Sequence, residues 1–469
     1  MKIFNSLSGK KETLVPIEDN NIRMYVCGMT VYDDTHIGHA RTFVSFDLIV
    51  RYLRDLGYEV QYIRNITDVD DKIISRAKEL GWDPSDLVKK YISSMDEDFS
   101  ALGMIKPDQE PRATDNIDSI IRLIEILIDK GHAYEGESDV YFSTESFESY
   151  GKLSKRKVED MLAGARIDVD LDKKNPADFV LWKKDTEGLK WDSPWGPGRP
   201  GWHIECSAMS SENLGNHFDI HCGGVDNMFP HHENEIAQSI CSSGEKFVNY
   251  WLHSEFLLVD GGKMSKSLGN CFTVSDLVKK GFTAESIRYQ LLAGHYRTKI
   301  SFSLKKKQES DKVIRRINEF QSLLIDLGAQ NIQKKQLPDS YYDFVEAMND
   351  DLNTRVAIAE TQSVVRILNR ANSAGDESLS NSCVGWLLEL AGGVLGIIPD
   401  SDFFANKMAE RDSKISSIID EVKALIEKRD RARSTKNWAE ADNIRDQLLG
   451  LGVSIQDTPD GTTWDYSEV

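Results

Sequence analysis

Between Ile22 and Ile63 the chain lays out a strand, a helix and a second strand in about 40 residues, an order that few folds accommodate. Ile22-Arg23-Met24-Tyr25-Val26-Cys27 reads as a buried strand closed by Gly28. From about Thr35 to Leu56, the side chains Ile37, Ala40, Val44, Leu48, Tyr52 and Leu56 recur at helical spacing. Asp34 or Thr35 is placed to cap this helix and Gly57 to stop it. Tyr58-Glu59-Val60-Gln61-Tyr62-Ile63 reads as the next strand. Such a unit implies a parallel sheet with a right-handed crossover, and ligands of open sheets of that kind gather at the carboxyl ends of the strands.

At 469 residues the chain is too long for one hydrophobic core, and two to four domains are expected. Pro107 and Pro111 mark a break. Residues 113–199 read as an insertion, with a helix near Ile117–Lys130 followed by turn-rich sequence that runs into Trp195-Gly196-Pro197-Gly198-Arg199-Pro200-Gly201. A second α/β stretch covers about 202–260, with Phe256–Val259 as a strand. Beyond about 300 the β signals fade, and helical patterns run to about Leu395, interrupted by a polar linker at Asn331–Ser340. In the last 60 or so residues, Ile415, Ile418, Ile419, Val422 and Ile426 define one amphipathic helix, and Ala441, Ile444 and Leu448 a second. Val453–Gln456 and Thr462–Trp464 flank Pro459-Asp460-Gly461 as a hairpin.

The formal charge of −19 weighs against a non-specific nucleic-acid coat, although it leaves room for a specific RNA partner held by a local basic patch. The N-terminus holds no apolar run that reads as a signal peptide, and no uncharged apolar stretch is long enough to span a bilayer, so a cytoplasmic protein is expected. The six cysteines are scattered without a Cys-x-x-Cys pair. From spacing alone they read as buried or idle thiols.

Two short strings point to nucleotide chemistry. In His36-Ile37-Gly38-His39, the histidines are three apart and share a face at the first turn of the first long helix. Helix N-termini attract phosphate through unpaired N–H groups and the dipole, and Gly38 leaves room for a flat base against the backbone. The plain alternative is a helix that happens to begin with two histidines. In Lys263-Met264-Ser265-Lys266-Ser267, which follows a strand and the Asp260-Gly261-Gly262 turn, two ammonium groups on a loop suit a triphosphate and its leaving pyrophosphate. A solvated loop is the commoner fate of such composition. A given five-residue string nevertheless arises by chance in only about one chain in several thousand. A third feature is a basic island between Lys423 and Lys436, followed at once by Trp438. Cations beside a stacking aromatic suit single-stranded RNA, with a solvated helix face as the alternative.

With both strings in this order, the chain resembles the class I aminoacyl-tRNA synthetases. It resembles the cysteinyl-tRNA synthetases in particular through Tyr25–Asp33, Asn65–Lys72, Gly201–Ser207 and Phe229–Glu235, and at the C-terminal end through Trp438, Asp442 and Gly461–Trp464. Met29 and Cys222 depart mildly from the family pattern without removing a functional group. The resemblance implies an α/β fold with a Rossmann-type parallel-sheet catalytic domain (1–112 and 200–290). It further implies an inserted connective subdomain (113–199), a stem-contact segment (291–330), a helical bundle (331–405) and a small mixed α+β anticodon-binding domain (406–469).

The resemblance also assigns residues. It implies one zinc ion held by Cys27, Cys206, His231 and Glu235, a set that suits zinc and in which the last two share a helix face. Cys222 is then a lining residue and not a ligand. Gly28, Thr30, Thr67, Trp202 and His221 are implied for the cysteine pocket, with Trp202 as its floor. His36, Gly38, His39, Gly224, Asp226 and Lys266 are implied for ATP, and His36, His39, Lys263 and Lys266 for the chemistry. Arg433, Trp438, Asp442 and Asp457 are implied for the anticodon, and His295, Arg297 and Lys299 for the inner side of the tRNA.

The implied activity is ligation of L-cysteine to tRNA(Cys) through an adenylate, with Mg²⁺ accompanying ATP, zinc selecting the thiolate, and the chain acting as a monomer. Direct coordination could reject serine by on the order of 10⁴ or more, and no region is large enough for an editing domain. Three alternatives stand beside this reading. A ligase joining cysteine to an amino sugar shares the catalytic half but lacks a full C-terminal module. An inactive synthetase-like RNA-binding protein would not need the histidines and lysines. A small nucleotidyltransferase would need neither the lysine motif nor four metal donors.

Overall fold

The chain opens with a short antiparallel hairpin, β1 (Lys2–Asn5) and β2 (Lys10–Thr13), and then enters β3 (Asn21–Val26), α1 (Ile37–Asp55) and β4 (Glu59–Arg64), the strand–helix–strand unit read from the sequence. The computed structural model describes residues 1–156, 172–185, 188–264, 269–318, 339–398, 401–458 and 461–466. These form two units, one built from residues up to 318 and from 339 to 398, the other from 401 onward.

In the larger unit, β3 and β4 pair in parallel with Met24 opposite Tyr62. On the other side of β3 lies β9 (Phe218–Gly224), followed by β10 (Val248–Ser254), so the all-parallel sheet has the order β10-β9-β3-β4. The chain leaves β3 towards β4 on one side and reaches β9 on the other, so the sheet has a switch point between the carboxyl ends of β3 and β9. Elements on both faces bury Met24, Tyr25 and Val26 completely, which explains why β3 reads as an apolar run without alternation.

Helix α1 buries Ile37, Ala40, Val44, Leu48 and Tyr52, whereas Leu56, placed on the same stripe by spacing, is exposed. Its cap also differs from expectation. Asp34 accepts a hydrogen bond from Ser94 and Thr35 is buried, so neither caps the helix. His36 does so instead, with its Nδ1 accepting from the His39 N–H at 3.2 Å. Farther along, buried Asp47 accepts from Arg51 Nε at 2.9 Å, from the Ile105 N–H at 2.8 Å, and from Arg288 on a helix that follows the lysine motif. Arg288 also donates to the carbonyls of Leu102 and Leu395. Burial alone would raise the Asp47 pKa, but Arg288 and Arg51 hold it below its ordinary value. Arg41 similarly donates to the carbonyls of Leu291, Gly294 and His295.

The insertion contains more β structure than its sequence suggests. After α2 (Asp71–Leu80), α3 (Pro84–Ala101) and α4 (Ile117–Asp129) comes a four-stranded antiparallel sheet of β5 (Ala133–Glu135), β6 (Asp139–Phe142), β7 (Phe179–Lys184) and β8 (Gly198–Pro200). The Gly-Pro-rich string that reads as turns is partly edge strand. A methyl group at Gly198 would strike the Lys183 carbonyl at 2.3 Å, and one at Gly201 the Val180 carbonyl at 2.2 Å. These glycines therefore serve close backbone approach as well as turning.

Helix α5 (Trp202–Leu214) leads into β9, and α6 (Glu233–Ser243) into β10. A tight hairpin follows, β11 (Leu257–Val259) and β12 (Gly262–Lys263), turning at Asp260 and Gly261, both with positive φ. Thereafter the larger unit is mostly helical. Buried Asp351, at φ +67°, accepts from the Phe4 N–H, the Tyr296 hydroxyl and Arg297.

In the smaller unit, Val422 and Leu425 of the long helix Ser401–Ser434 pack with Ile444 and Leu448 of Trp438–Gly450 and with Val453 of a terminal antiparallel hairpin, Val453–Thr458 and Gly461–Tyr466. Residues 459–460 of the expected turn and 331–338 of the expected linker lie outside the described residues. Among those described, no helix is long and apolar enough to cross a membrane.

Replacing Arg288 by Ala removes one of the two cations that neutralise a buried carboxylate, together with the guanidinium donor to two carbonyls. We expect this variant to destabilise the larger unit by about 3–5 kcal/mol, read as a lowered urea midpoint. A midpoint equal to wild type would mean that Asp47 is held by its other partners alone.

Candidate active site and metal centre

Cys27 follows β3 directly, and its N–H donates to the carbonyl of Cys222 on β9, so its thiol stands at the switch point. Cys206 reaches the same point from α5, His231 from the helical turn Met228–His232, and Glu235 from the first turn of α6. Cys27 Sγ is 3.9 Å from Cys206 Sγ and 3.6 Å from Glu235 Oε1. His231 Nε2 is 3.1 Å from the same oxygen. All four residues are buried, and their donor atoms lie within 4.8 Å of one another.

The electrostatics of this group are those of crowded acids. Burial raises the Cys27 pKa well above the ordinary value, and neighbouring Cys206 and Glu235 add to the effect. For Cys206 the hydrogen bond with Cys27 pulls the value down, but burial and Glu235 outweigh it and the net direction is up. Burial pushes His231 down to about 3, leaving a neutral imidazole. Two thiols, a carboxylate and a neutral imidazole, shielded from water, suit a divalent cation that relieves their mutual repulsion.

A second set within the same distance limit shares Cys27 and Glu235 and adds His221 and His232. His221 Nε2 is 2.8 Å from Glu235 Oε2 and His221 is fully buried, so it stands behind the carboxylate and does not line the cavity described below. His232 pairs with His253 at 2.8 Å, and His253 in turn with Ser6 at 2.7 Å. Sequence reasoning passed over His203, His232 and His253. Only the adjacency of His232 to His231 and of His203 to Trp202 could have flagged the first two. Cys222 belongs to neither set and does not line the cavity, contrary to the place expected for it.

The donor set opens on a cavity of about 200 Å³. Gly28, Thr30, Thr67 and Trp202 line it beside Cys27, Cys206 and His231, while His39, Gly224 and Asp226 line it farther along. Thr30 and Thr67 are bridged in parallel. Gly28 permits their approach, since a methyl there would lie 1.6 Å from the Asn65 carbonyl oxygen. The Trp202 ring, partly exposed, lies 4.4 Å from that of His231.

At the helix start, the His36 and His39 rings stack at 3.6 Å. The surface over Gly38, which the sequence suggested for a base, is covered by the end of Met264, whose Cε would lie 2.7 Å from an added methyl. Lys263 is exposed on β12, close in sequence to Met264, whereas Lys266 lies outside the described residues. His36 faces a neighbouring cleft of about 600 Å³, into which Lys72 and Arg76 of α2 also project. Lys72 borders both spaces.

The residues expected to meet tRNA are placed unevenly. Arg433 Nη1 is 2.7 Å from Asp457 Oδ1, and Arg429 engages the same carboxylate through two bonds of 2.8 Å, so Arg433 and Asp457 are paired with each other. Trp438 and Asp442 are exposed on the next helix. In the larger unit, Arg297 is held by Asp351 and lies over the Phe4 ring at 4.0 Å, while His295 is 3.5 Å from Asp351 and Lys299 is exposed.

The hydrogen bond from Arg429 holds the Asp457 carboxyl well below the usual carboxylate range. An unfolded aspartate titrates near about 4. Because the folded value is depressed, the stabilisation is complete above that pH and is lost progressively as pH falls below it. We expect amide protection over 453–458 in wild type to exceed that in Asp457→Asn at neutral pH, with the excess shrinking below about pH 4. A pH-independent ratio of protection would show that the pair does not hold this hairpin.

Residues 13–312 match the model of the tRNA synthetases class I (C) catalytic domain, 343–399 the DALR domain, and 417–464 the cysteinyl-tRNA ligase anticodon binding domain. Proteins named "Cysteine--tRNA ligase" from Halorhodospira halophila and Actinobacillus pleuropneumoniae serotype 3 are 50% and 48% identical, each match covering 99% of both chains. Among solved structures, Mycobacterium tuberculosis methionyl-tRNA synthetase bound by methionyl-adenylate superposes with a TM-score of 0.61 at 13% identity, over 80% of this chain and 92% of its own, which speaks for the fold alone. With a class I catalytic domain, a cysteinyl-type anticodon domain and full-length relatives at this identity, the chain belongs to the cysteinyl-tRNA ligases, enzymes of the class I aminoacyl-tRNA synthetase family.

Proposed function

We propose that this ligase activates L-cysteine with Mg·ATP as cysteinyl-adenylate and transfers the cysteinyl group to the 3′ end of tRNA(Cys), with one zinc ion, held by Cys27, Cys206, His231 and Glu235, selecting the substrate by its thiol. The observation that carries this reading is the buried four-donor set, three of whose members, Cys27, Cys206 and His231, line one cavity of about 200 Å³ together with the residues proposed for the amino acid and for ATP. Zinc in that place supplies a centre that takes a soft thiolate far more readily than a hydroxyl.

The remaining work falls to the chain's own groups. Gly28, Thr30, Thr67 and Trp202 confine the amino acid, with Trp202 closing the space beside His231. Gly224 and Asp226, at the carboxyl end of β9, suit the adenine and ribose of ATP. His36, Gly38 and His39 set the α-phosphate against the start of α1, where the two imidazoles stabilise charge as the substrate carboxylate attacks. Lys263 and Lys266 follow that charge onto the departing pyrophosphate. The terminal ribose 2′-hydroxyl then attacks the cysteinyl carbonyl and AMP leaves. Positioning and charge stabilisation supply most of the rate, so no strong side-chain base is required. In the smaller unit, exposed Trp438 and Asp442 suit splayed anticodon bases, with Arg433 and Asp457 beside them. Each chain carries a full donor set and cavity, which supports a monomer as the acting unit.

The test is to incubate the full-length protein with ATP, Mg²⁺, labelled cysteine and total tRNA. We expect label on tRNA, and its loss in Cys27→Ala together with a zinc content below one per chain. Label absent from tRNA while cysteine-dependent ATP–pyrophosphate exchange persists would sink the tRNA reading in favour of a small amine acceptor. A separate expectation concerns the metal. Stripping zinc with a chelator should abolish cysteine-dependent exchange and leave ATP binding intact. Unchanged exchange in verified zinc-free enzyme would rule out the selecting role.

A further inference from the structure

Two histidines outside the proposed zinc ligands touch those ligands directly. His203 Nδ1 lies 2.9 Å from His231 Nδ1, and His221 Nε2 lies 2.8 Å from Glu235 Oε2. We propose that His203 and His221 are positioning residues for the metal ligands: His203 fixes the His231 ring in the tautomer that leaves its Nε2 bare, and His221 holds one oxygen of Glu235 so that only the other faces the donor centre. The inference rests on the zinc reading given above.

The positions of the protons carry the argument. His231 Nε2 is the nitrogen on the donor side, 3.1 Å from Glu235 Oε1. An imidazole binds a cation only through a nitrogen without a proton, so the single ring proton of His231 must sit on Nδ1. At 2.9 Å the two Nδ1 atoms share one proton. His203 Nδ1 is therefore the acceptor, and His203 carries its own proton on Nε2. Ligating histidines commonly donate their second N–H in this way, which sets both tautomer and ring orientation. Here the acceptor is another histidine, whose ring is itself held against Phe179 edge-on at 5.8 Å and against Trp202 at 5.1 Å.

For Glu235 the logic runs from the carboxylate, which only accepts. His221 must donate from Nε2, leaving its Nδ1, buried without a partner, as a bare lone pair. The opposite tautomer would set lone pair against carboxylate and bury an orphaned N–H. Stacking on Trp251 at 4.5 Å keeps the His221 ring in register. With Oε2 thus engaged, Oε1 is the oxygen left beside Cys27 and His231.

The experiment compares full-length wild type, His203→Phe and His203→Asn. Zinc affinity is measured by chelator competition and the thiolate-to-metal absorption by cobalt substitution. Asparagine Oδ1 occupies the place of the histidine Nδ1 and accepts the same proton; phenylalanine fills the space and accepts nothing. Expected are one zinc per wild-type chain, a 10- to 100-fold weaker affinity in His203→Phe and a loss of no more than about threefold in His203→Asn, with the cobalt spectrum of the Asn variant like that of wild type. Wild-type affinity in His203→Phe, or equal losses in the two variants, would overturn the positioning role. A wild-type chain that binds no zinc would overturn the underlying zinc reading instead, so the two failures are distinguishable.

Discussion

Everything at the active end of this protein depends on bringing acidic groups together where water cannot separate them. Cys27, Cys206 and Glu235 come from three elements and meet at the carboxyl ends of β3 and β9, with two of the three pairwise separations known to be under 4 Å. Burial of that kind is costly unless a cation or a proton answers it. The parallel sheet supplies the frame that makes the cost tolerable. Strands covered on both faces hold their loops rigidly, and the glycine at position 28 lets two of those loops approach to within contact. His203 and His221 lie within hydrogen-bond distance of two of the donors, His231 and Glu235.

The nucleotide side is organised on a different principle. Helix α1 presents stacked His36 and His39 at one end, while Asp47 in its middle is tied through Arg288 to residues far along the chain. A helix end that must stabilise developing charge works best when it does not reorganise. On the proposed reading, the buried arginines serve that need by tying α1 to distant backbone carbonyls. Lys263 and Met264, the described part of the lysine motif, follow a two-stranded turn with positive φ at both corners, so the two strings proposed for the nucleotide lie on structurally distinct elements.

Much of this was legible in the sequence, although for different reasons in different places. The strand–helix–strand unit declared itself through periodicity, and the histidine and lysine strings through their rarity. The donor set did not. Cys27 and Cys206 are separated by most of the catalytic domain, and only the resemblance joined them to His231 and Glu235. The antiparallel sheet of the insertion was hidden because its strands are short and because Gly198 and Gly201 look like turn residues, whereas they serve close packing. The capping role of His36 was masked by two better-known cap residues just before it, Asp34 and Thr35, whose side chains are engaged elsewhere. Tautomers and ring contacts, such as those of His203 and His221, depend on distances of a few tenths of an ångström that no spacing rule carries.

The Arg433–Asp457 pair has a consequence for how RNA is held. A lysine or arginine on an open surface is accompanied by diffusible anions, and a phosphate that replaces them gains the entropy of their release. Arg433 already has a counter-ion that is part of the chain, 2.7 Å away. A phosphate arriving there exchanges one tethered carboxylate for another anion and frees little into solution. On the proposed reading, the basic island between 423 and 436 therefore overstates the number of ions a bound RNA would displace, and affinity for RNA at this end would fall less steeply with salt than its count of basic residues implies.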